Sequence, residues 1–315
     1  MIDATRFFAN PAASMTTKTR NRIVVLFILA FPFVLFLGFL ISEFAKPLPP
    51  IPSLPNPNGY DDFVKAGKML STNGGNYDEI NLEQLSELVS ANARALSLTR
   101  SGLSSECRVP VQFTQAYDEN HLSDLVAIKR LAQALVTEGK LAEMENRPAD
   151  AAKSYLDAVH FGNEATRGGV LIDQMVGMAV ESIGTSHLIN LADRLGAKSC
   201  RETAVALETL DSQRQTWDEV MQQENDWSRR TFPGVRNEFA RIIEHNSLQK
   251  VDRACELKFK TREQKTRQLM IDFAARAYEL DKGKSPASVS DLVPDYLQAI
   301  PQDPLTGANM VYSPR

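Results

Sequence analysis

The chain has 315 residues, with 35 lysines and arginines against 39 acids and a formal net charge of −4. That acidic balance, with no basic stripe interleaved with aromatics, argues against a phosphate-binding surface and so against nucleic acid as a partner. Three cysteines, Cys107, Cys200 and Cys255, stand far apart without a CxxC spacing, which argues against a zinc knuckle or a thioredoxin-like site.

In chain order, residues 1–22 form a tail carrying Arg6, Lys18, Arg20 and Arg22 against the single acid Asp3. Ile23 to Ile41 follows as nineteen residues, IVVLFILAFPFVLFLGFLI, without a charged side chain. As a helix this run is about 28 Å long, close to the hydrocarbon thickness of a bilayer, and a helix satisfies its own backbone in lipid. The expectation is a transmembrane helix over 23–41, with Pro32 tolerated inside it. The positive flank places the N-terminus in the cytoplasm and the remainder outside, in a periplasm-like space. That remainder has 31 bases and 38 acids, a net −7. A cleaved signal peptide is the alternative, but its apolar run would be shorter and end at a small-x-small site. Here the run exits through Ser42, Glu43, Phe44 and Ala45.

Residues 42–59 contain KPLPPIPSLPNPN, where six prolines forbid helix and favour a stiff, extended spacer. From Tyr60 the apolar period is helical, and an all-α domain is expected over 60–258, followed by a C-terminal helix and tail over 259–315. Helices are expected over Tyr60–Leu70, over Asn81–Thr99 with Asn81 as cap, and over Leu122–Glu145. In the last, Leu125, Ile128, Ala132 and Leu135 make one apolar stripe. Pro148 starts the next helix, since its fixed φ suits a first turn. Val170–Leu195 places Ile172, Met175, Ala179 and Ile183 on a buried face, with Gly177 and Gly184 admitting a neighbour and Gly196 as C-cap. Helical segments follow over Arg201–Thr231 and Arg236–Lys258, broken at Pro233 and Gly234, then an amphipathic helix over Thr261–Leu280. A short helix near Ser288–Leu292 and a small hairpin around Thr306–Tyr312 end the chain.

Two stretches resemble known families. Gly139, Ala151, Tyr155 and Ala158 fall at the small and aromatic positions of a tetratricopeptide-like hairpin, in which small residues let two helices approach and the aromatic fills the gap. Ala142 stands where that family has a large aromatic, and the pattern does not recur 34 residues on, so the resemblance implies one hairpin and not an array. The run from Ala274 to Ser313, with G-x-x-P, S-x-x-D-L-V and P-x-D-P in succession, resembles the tail of type II secretion pseudopilins. It implies a turn shaped by Gly283 and Pro286, Leu292 and Tyr296 packed back on the helix, and a tight turn of Asp303, Pro304 and Gly307. No pseudopilin processing site precedes Ile23. The order of anchor, proline spacer, NRPADAAKSYLDAV, GGVLIDQMVGMAVESIG and tail is similar to single-pass membrane-anchored bacterial proteins, a resemblance that implies no activity.

Candidate chemistry is sparse. His121, His160, His187 and His245 are dispersed without metal-ligand spacing and read first as surface or capping histidines. Asp118, Glu119 and His121 make a possible acid–imidazole group that reads first as a loop and cap. Glu224, at helical spacing from Trp217, Val220, Met221 and Trp227, puts a carboxylate on an apolar-looking face and is the weak catalytic candidate, with an ion pair to an arginine as the alternative. In an oxidising compartment one disulfide among the three cysteines would leave one thiol over, and three free thiols is the other reading. Nucleotide-loop and nucleophile-elbow motifs are absent, and the residues imply no cofactor and no metal. The expected role is an interaction or scaffold protein of the cell envelope, partnered by the bilayer through 23–41 and by a protein or peptide. An accessory part of a secretion or pilus-like system and an enzyme at Glu224 are the alternatives.

Overall fold

In the computed structural model the described residues are 26, 28, 30–39, 42, 47–71 and 81–312, without the side chains of 118, 120 and 235–249. The chain divides into two units, Met1–Pro50 and Ile51–Arg315. In the first, the described positions between 26 and 42 are helical, and Leu26, Phe31, Phe33 and Leu35 are exposed. Among the described residues no helix is long and apolar enough to cross a membrane. The expected span over 23–41 therefore has no described counterpart, and its remaining positions, like residues 1–22, lie outside the described residues.

The second unit is all-helical among the described residues, as the period demanded. The chain runs without helix or strand from Pro47 to Asn58, then enters α1, Gly59–Met69. Asn58 caps α1 by accepting from Tyr60 N at 3.2 Å, and it also ties the helix to a distant loop through bonds with Arg108 N and O at 3.0 and 2.8 Å. Helix α2, Leu82–Leu103, opens on a capping box between Asn81 and Gln84. Helix α3, Tyr117–Met144, and α4, Pro148–Glu164, form a hairpin whose turn holds Asn146 at a φ of 58°. Leu125, Ile128, Ala132 and Leu135 are all buried in it. Gly139 faces Tyr155, whose ring lies where a Cβ would stand, 2.3 Å away, so the missing side chain on one helix is filled by the aromatic of the other.

Helix α5, Leu171–Leu188, packs closely on α4, and a short 3-10 turn, Ile189–Arg194, follows it. A Cβ on Gly177 would meet the Gly162 carbonyl oxygen at 2.7 Å, and one on Gly184 the Tyr155 carbonyl oxygen at 2.7 Å. The two glycines thus admit the neighbouring backbone, as their spacing suggested. The expected apolar face does not follow them. Ile172, Met175 and Ala179 are exposed and Ile183 is only partly buried, while the buried face carries Asp173, Gln174, Gly177, Val180, Glu181 and Gly184. Close backbone approach decided the orientation of α5, and hydrophobicity did not. Gly196 is likewise corrected: α5 ends earlier, and Gly196, at φ −77°, is the N-cap of α6, Ala197–Ser212.

Helix α7, Trp217–Thr231, starts on a capping box of Thr216 and Glu219 and ends before Pro233 and Gly234. The segments read as Arg236–Lys258 and Thr261–Leu280 are one helix, α8, Val235–Lys282, 48 residues long. No glycine or proline interrupts it, and Phe259, at the expected break, is 1% exposed. Its C-terminal half lies along α6. Gly283 ends it in the left-handed conformation at φ 68°, its N–H donating to the Glu279 carbonyl at 2.8 Å.

The tail returns over α8. Leu292 and Tyr296 are buried, and Arg267 Nη1 donates to the Gln302 carbonyl at 2.7 Å. The hairpin expected at Thr306–Tyr312 shrinks to one antiparallel bridge between Gln302 and Asn309, with no strand among the described residues. Gly307 N donates to the Asp303 carbonyl at 2.7 Å, closing the chain too tightly for a ladder, and Pro301 and Pro304 bring no N–H. The core is continuous from α1 to the tail, with Phe63 and Phe161 packed edge to face at 4.9 Å. Burying each such ring contributes about 1.5–3 kcal/mol.

Candidate functional site

The groups that the sequence singled out converge on the first turn of α5. Glu224, half-buried on α7, accepts from Leu171 N at 2.8 Å through Oε2. Asp173, fully buried, accepts from Val170 N at 2.8 Å through Oδ2, and its Oδ1 lies 2.6 Å from His121 Nε2. Both carboxylates thus satisfy amides at the positive end of a helix, which is a structural task. His121 is 6% exposed, stacked on Tyr117 with ring centroids 4.8 Å apart, and its Nδ1 stands 3.8 Å from Asp124. Its partner is therefore Asp173, 52 residues away, and not the adjacent Glu119, which is exposed; the Asp118 side chain lies outside the described residues. The Tyr60 hydroxyl, buried beside this group, has no hydrogen-bond partner among the described residues. Burial, with Asp124 and Asp173 nearby, holds its pKa above the ordinary phenol value.

The sequence did not single out a second cluster, on the middle of α5. Glu181 is fully buried and accepts from Arg214 Nη1 at 2.7 Å, Arg214 Nη2 at 2.8 Å and Thr266 Oγ1 at 2.9 Å. Arg262 approaches the same carboxylate, Nε to Oε2 at 3.5 Å, but its Nε and Nη2 are buried without an acceptor among the described residues. Burial is the largest influence on Glu181 and opposes its ionisation, yet Arg214 and Arg262 outweigh it and hold the carboxyl below the usual range. Arg262 answers to burial instead, which pushes it down to about 10. Asp211 is shared between Arg267, at 2.8 Å, and Arg214, at 3.7 Å. One signal lay in the sequence: Glu181 falls four residues after Gly177 and three before Gly184, on the side that meets a neighbour.

Beside this cluster, between α5 and α8, is a cavity of about 490 Å³. Its wall carries Glu181, Lys258, Arg262 and Lys265 together with Met175, Met178 and Leu257. The exposed face of α5 and the exposed Leu257 of α8 give it an apolar side, and the three cations outnumber the one acid.

The remaining candidates are dispersed. His187 stacks on Tyr155 at 4.9 Å, burial depresses the pKa of His160, and the His245 side chain lies outside the described residues. The three cysteines are free thiols, with Cys107 and Cys200 buried and pushed up by that burial to about 12 and about 11. Asp303 takes a backbone bond from Leu305 N at 2.8 Å, which holds its carboxyl below the usual value in the turn with Pro304 and Gly307. Among the described residues no group of three or more acids, histidines and cysteines could hold a metal ion.

Comparison with known proteins finds no matching family, no matching curated protein and no matching solved structure.

Proposed function

We propose that this chain is a membrane-tethered protein of the extracytoplasmic side of the cell envelope, whose helical domain binds a protein or peptide partner. The observation that carries this reading is the helical stretch from 30 to 39, whose Phe31, Phe33, Leu35 and Phe39 side chains are exposed within an uncharged run of nineteen residues. Hydrocarbon accommodates such a surface and water does not. Carbonate washing of membranes is expected to leave the chain in the pellet, and Leu35→Arg with Phe33→Arg to release it. Recovery of the unaltered, intact chain from the soluble fraction after gentle lysis would end the proposal.

Residues 250–258 of α8 support the binding role, because Val251 and Leu257 stand exposed there at more than half of their surface. A photocrosslinker at Val251 in native membranes is expected to capture a discrete protein band. A second reading, an accessory part of a secretion or pilus-like system, rests on the resemblance of the tail, in which Leu292 and Tyr296 are buried. Co-purification of crosslinked native protein with secretion components favours it, and a stable monomer without them counts against it. Glu224 has a structural task at α5, and no reaction is proposed for it.

A further inference from the structure

The ionic cluster behind the cavity leaves one guanidinium, that of Arg262, poorly hydrogen-bonded among the described residues. Glu181 serves two buried guanidinium groups, and both of its oxygens are committed to Arg214, one of them also to Thr266. Arg262 is left with an over-long contact and, among the described residues, with Nε and Nη2 lacking acceptors. A buried cation without a full partner is costly, so an anion that reaches it is stabilised strongly. Asp211 gives its Oδ2 to Arg267 at 2.8 Å, and its Oδ1 faces Arg214 at 3.7 Å, so neither oxygen fills the donors of Arg262. Glu263, the next residue along α8, adds a carboxylate to the field at Arg262, and the open Nε and Nη2 donors remain unfilled among the described residues.

The same wall carries Lys258 and Lys265, which reinforce the sign of the field inside a chain that is acidic as a whole. Met175 and Met178 of α5 and Leu257 of α8 give the cavity its apolar lining. Methionines adapt to a flexible apolar chain, and a cavity of about 490 Å³ is of the size that holds small ligands. An arginine edge offers paired donors that match the two oxygens of a carboxylate. We propose that the cavity between α5 and α8 binds an amphipathic carboxylate, its head on Arg262 with Lys258 and Lys265 beside it and its apolar chain against Met175, Met178 and Leu257. The unfilled donors of Arg262 select an anionic head, and the apolar side chains select a tail. This ligand site is independent of whether the chain is tethered to a membrane.

The test is calorimetric titration of the full chain in lipid nanodiscs with decanoate, decanol and acetate, with empty nanodiscs subtracted. Decanoate is expected to bind saturably at one site and about tenfold or more tighter than decanol, the worth of a charge-assisted hydrogen bond, while acetate binds far more weakly. Arg262→Met is expected to remove that preference and leave decanol binding unchanged. Lys258→Gln with Lys265→Gln, both at exposed side chains, is expected to weaken decanoate a few-fold and to steepen no other response. Equal binding of decanoate and decanol by the unaltered chain, absence of saturable binding, or an Arg262→Met chain that keeps the preference would each overturn the proposal. Should Arg262→Met not fold, the decanoate–decanol comparison and the lysine variant decide it by the same criteria.

Discussion

Two ionic clusters join the helices of this domain, and they are built with opposite proportions. Between α2, α3 and α4, Arg100 meets two carboxylates: its Nε donates to Asp157 at 2.7 Å, and Nη1 and Nη2 both donate to Glu138, which also accepts from Ser154 at 2.8 Å. Burial would raise the Glu138 pKa, but Arg100 and Ser154 hold it below the usual value. Between α5, α6 and α8 the ratio is reversed, with Glu181 serving Arg214 and Arg262. The first cluster is partly open to water, with the Arg100 side chain 34% exposed, and all three guanidinium nitrogens of Arg100 are engaged. The second is closed off at its carboxylate, with Glu181 at 1%, meets the cavity at Arg262, and among the described residues leaves donors over. A surface-facing network tolerates any proportion because water completes it, whereas a sealed one needs a balanced set or a ligand.

The largest expected effect breaks the sealed cluster. Glu181→Gln takes the shared carboxylate from two buried guanidinium groups, leaving Arg214 only its longer contact with Asp211, and is expected to cost about 3–5 kcal/mol in urea unfolding of the full chain, while Glu138→Gln, screened by water, costs about 1–2 kcal/mol. Equal losses would dissolve the contrast. The arginines sharpen it in the opposite sense. Arg100→Met is expected to lose about 2 kcal/mol of charge-assisted bonds, whereas Arg262→Met, which removes a poorly partnered buried charge, is expected to change stability by less than about 1 kcal/mol or to raise it. A smaller loss, about 1 kcal/mol, is expected for Glu224→Ala, which uncaps Leu171 N at the start of α5; a chain with undiminished stability would show that water replaces that bond.

The smallest effects are in pH. The Glu181 carboxyl titrates below its ordinary value of 4.5, so the unfolded chain takes up the proton first and stability falls as pH drops below that value. Glu181→Gln is expected to lose this part of the acid slope. Burial depresses His160 below its ordinary 6.5, so its contribution is present above that pH and declines as pH falls through the lowered value. Unfolding midpoints at pH 7.5 and 5.5 are expected to converge in His160→Asn, and an unchanged difference would assign the slope to other groups.

The sequence made local features legible. Asn81 as a cap, Pro148 at a first turn, the stripe from Leu125 to Leu135 and the glycines at 177 and 184 all act within a few residues of themselves, and each is where its pattern put it. The Gly139–Tyr155 contact belongs with them, since a short turn joins its two helices. The hairpin at the end of the tail and the break at Lys258–Thr261 were misread because turn residues and a polar stretch imitate element boundaries that local packing removed.

Periodicity alone determined that this chain is a set of helices, where most of them begin, and which small residues touch a neighbour, because those outcomes depend on the backbone and on residues one to four positions apart. Tertiary structure alone decided which side of α5 is buried. A hydrophobic pattern counts Ile172 and Met175 as core and Glu181 as solvent, but the partners that make Glu181 a buried residue, Arg214, Thr266 and Arg262, lie 33, 85 and 81 positions further along and meet it only after the helices have packed. The energy of a buried charge is set by what surrounds it in space, and no local window of residues contains that information.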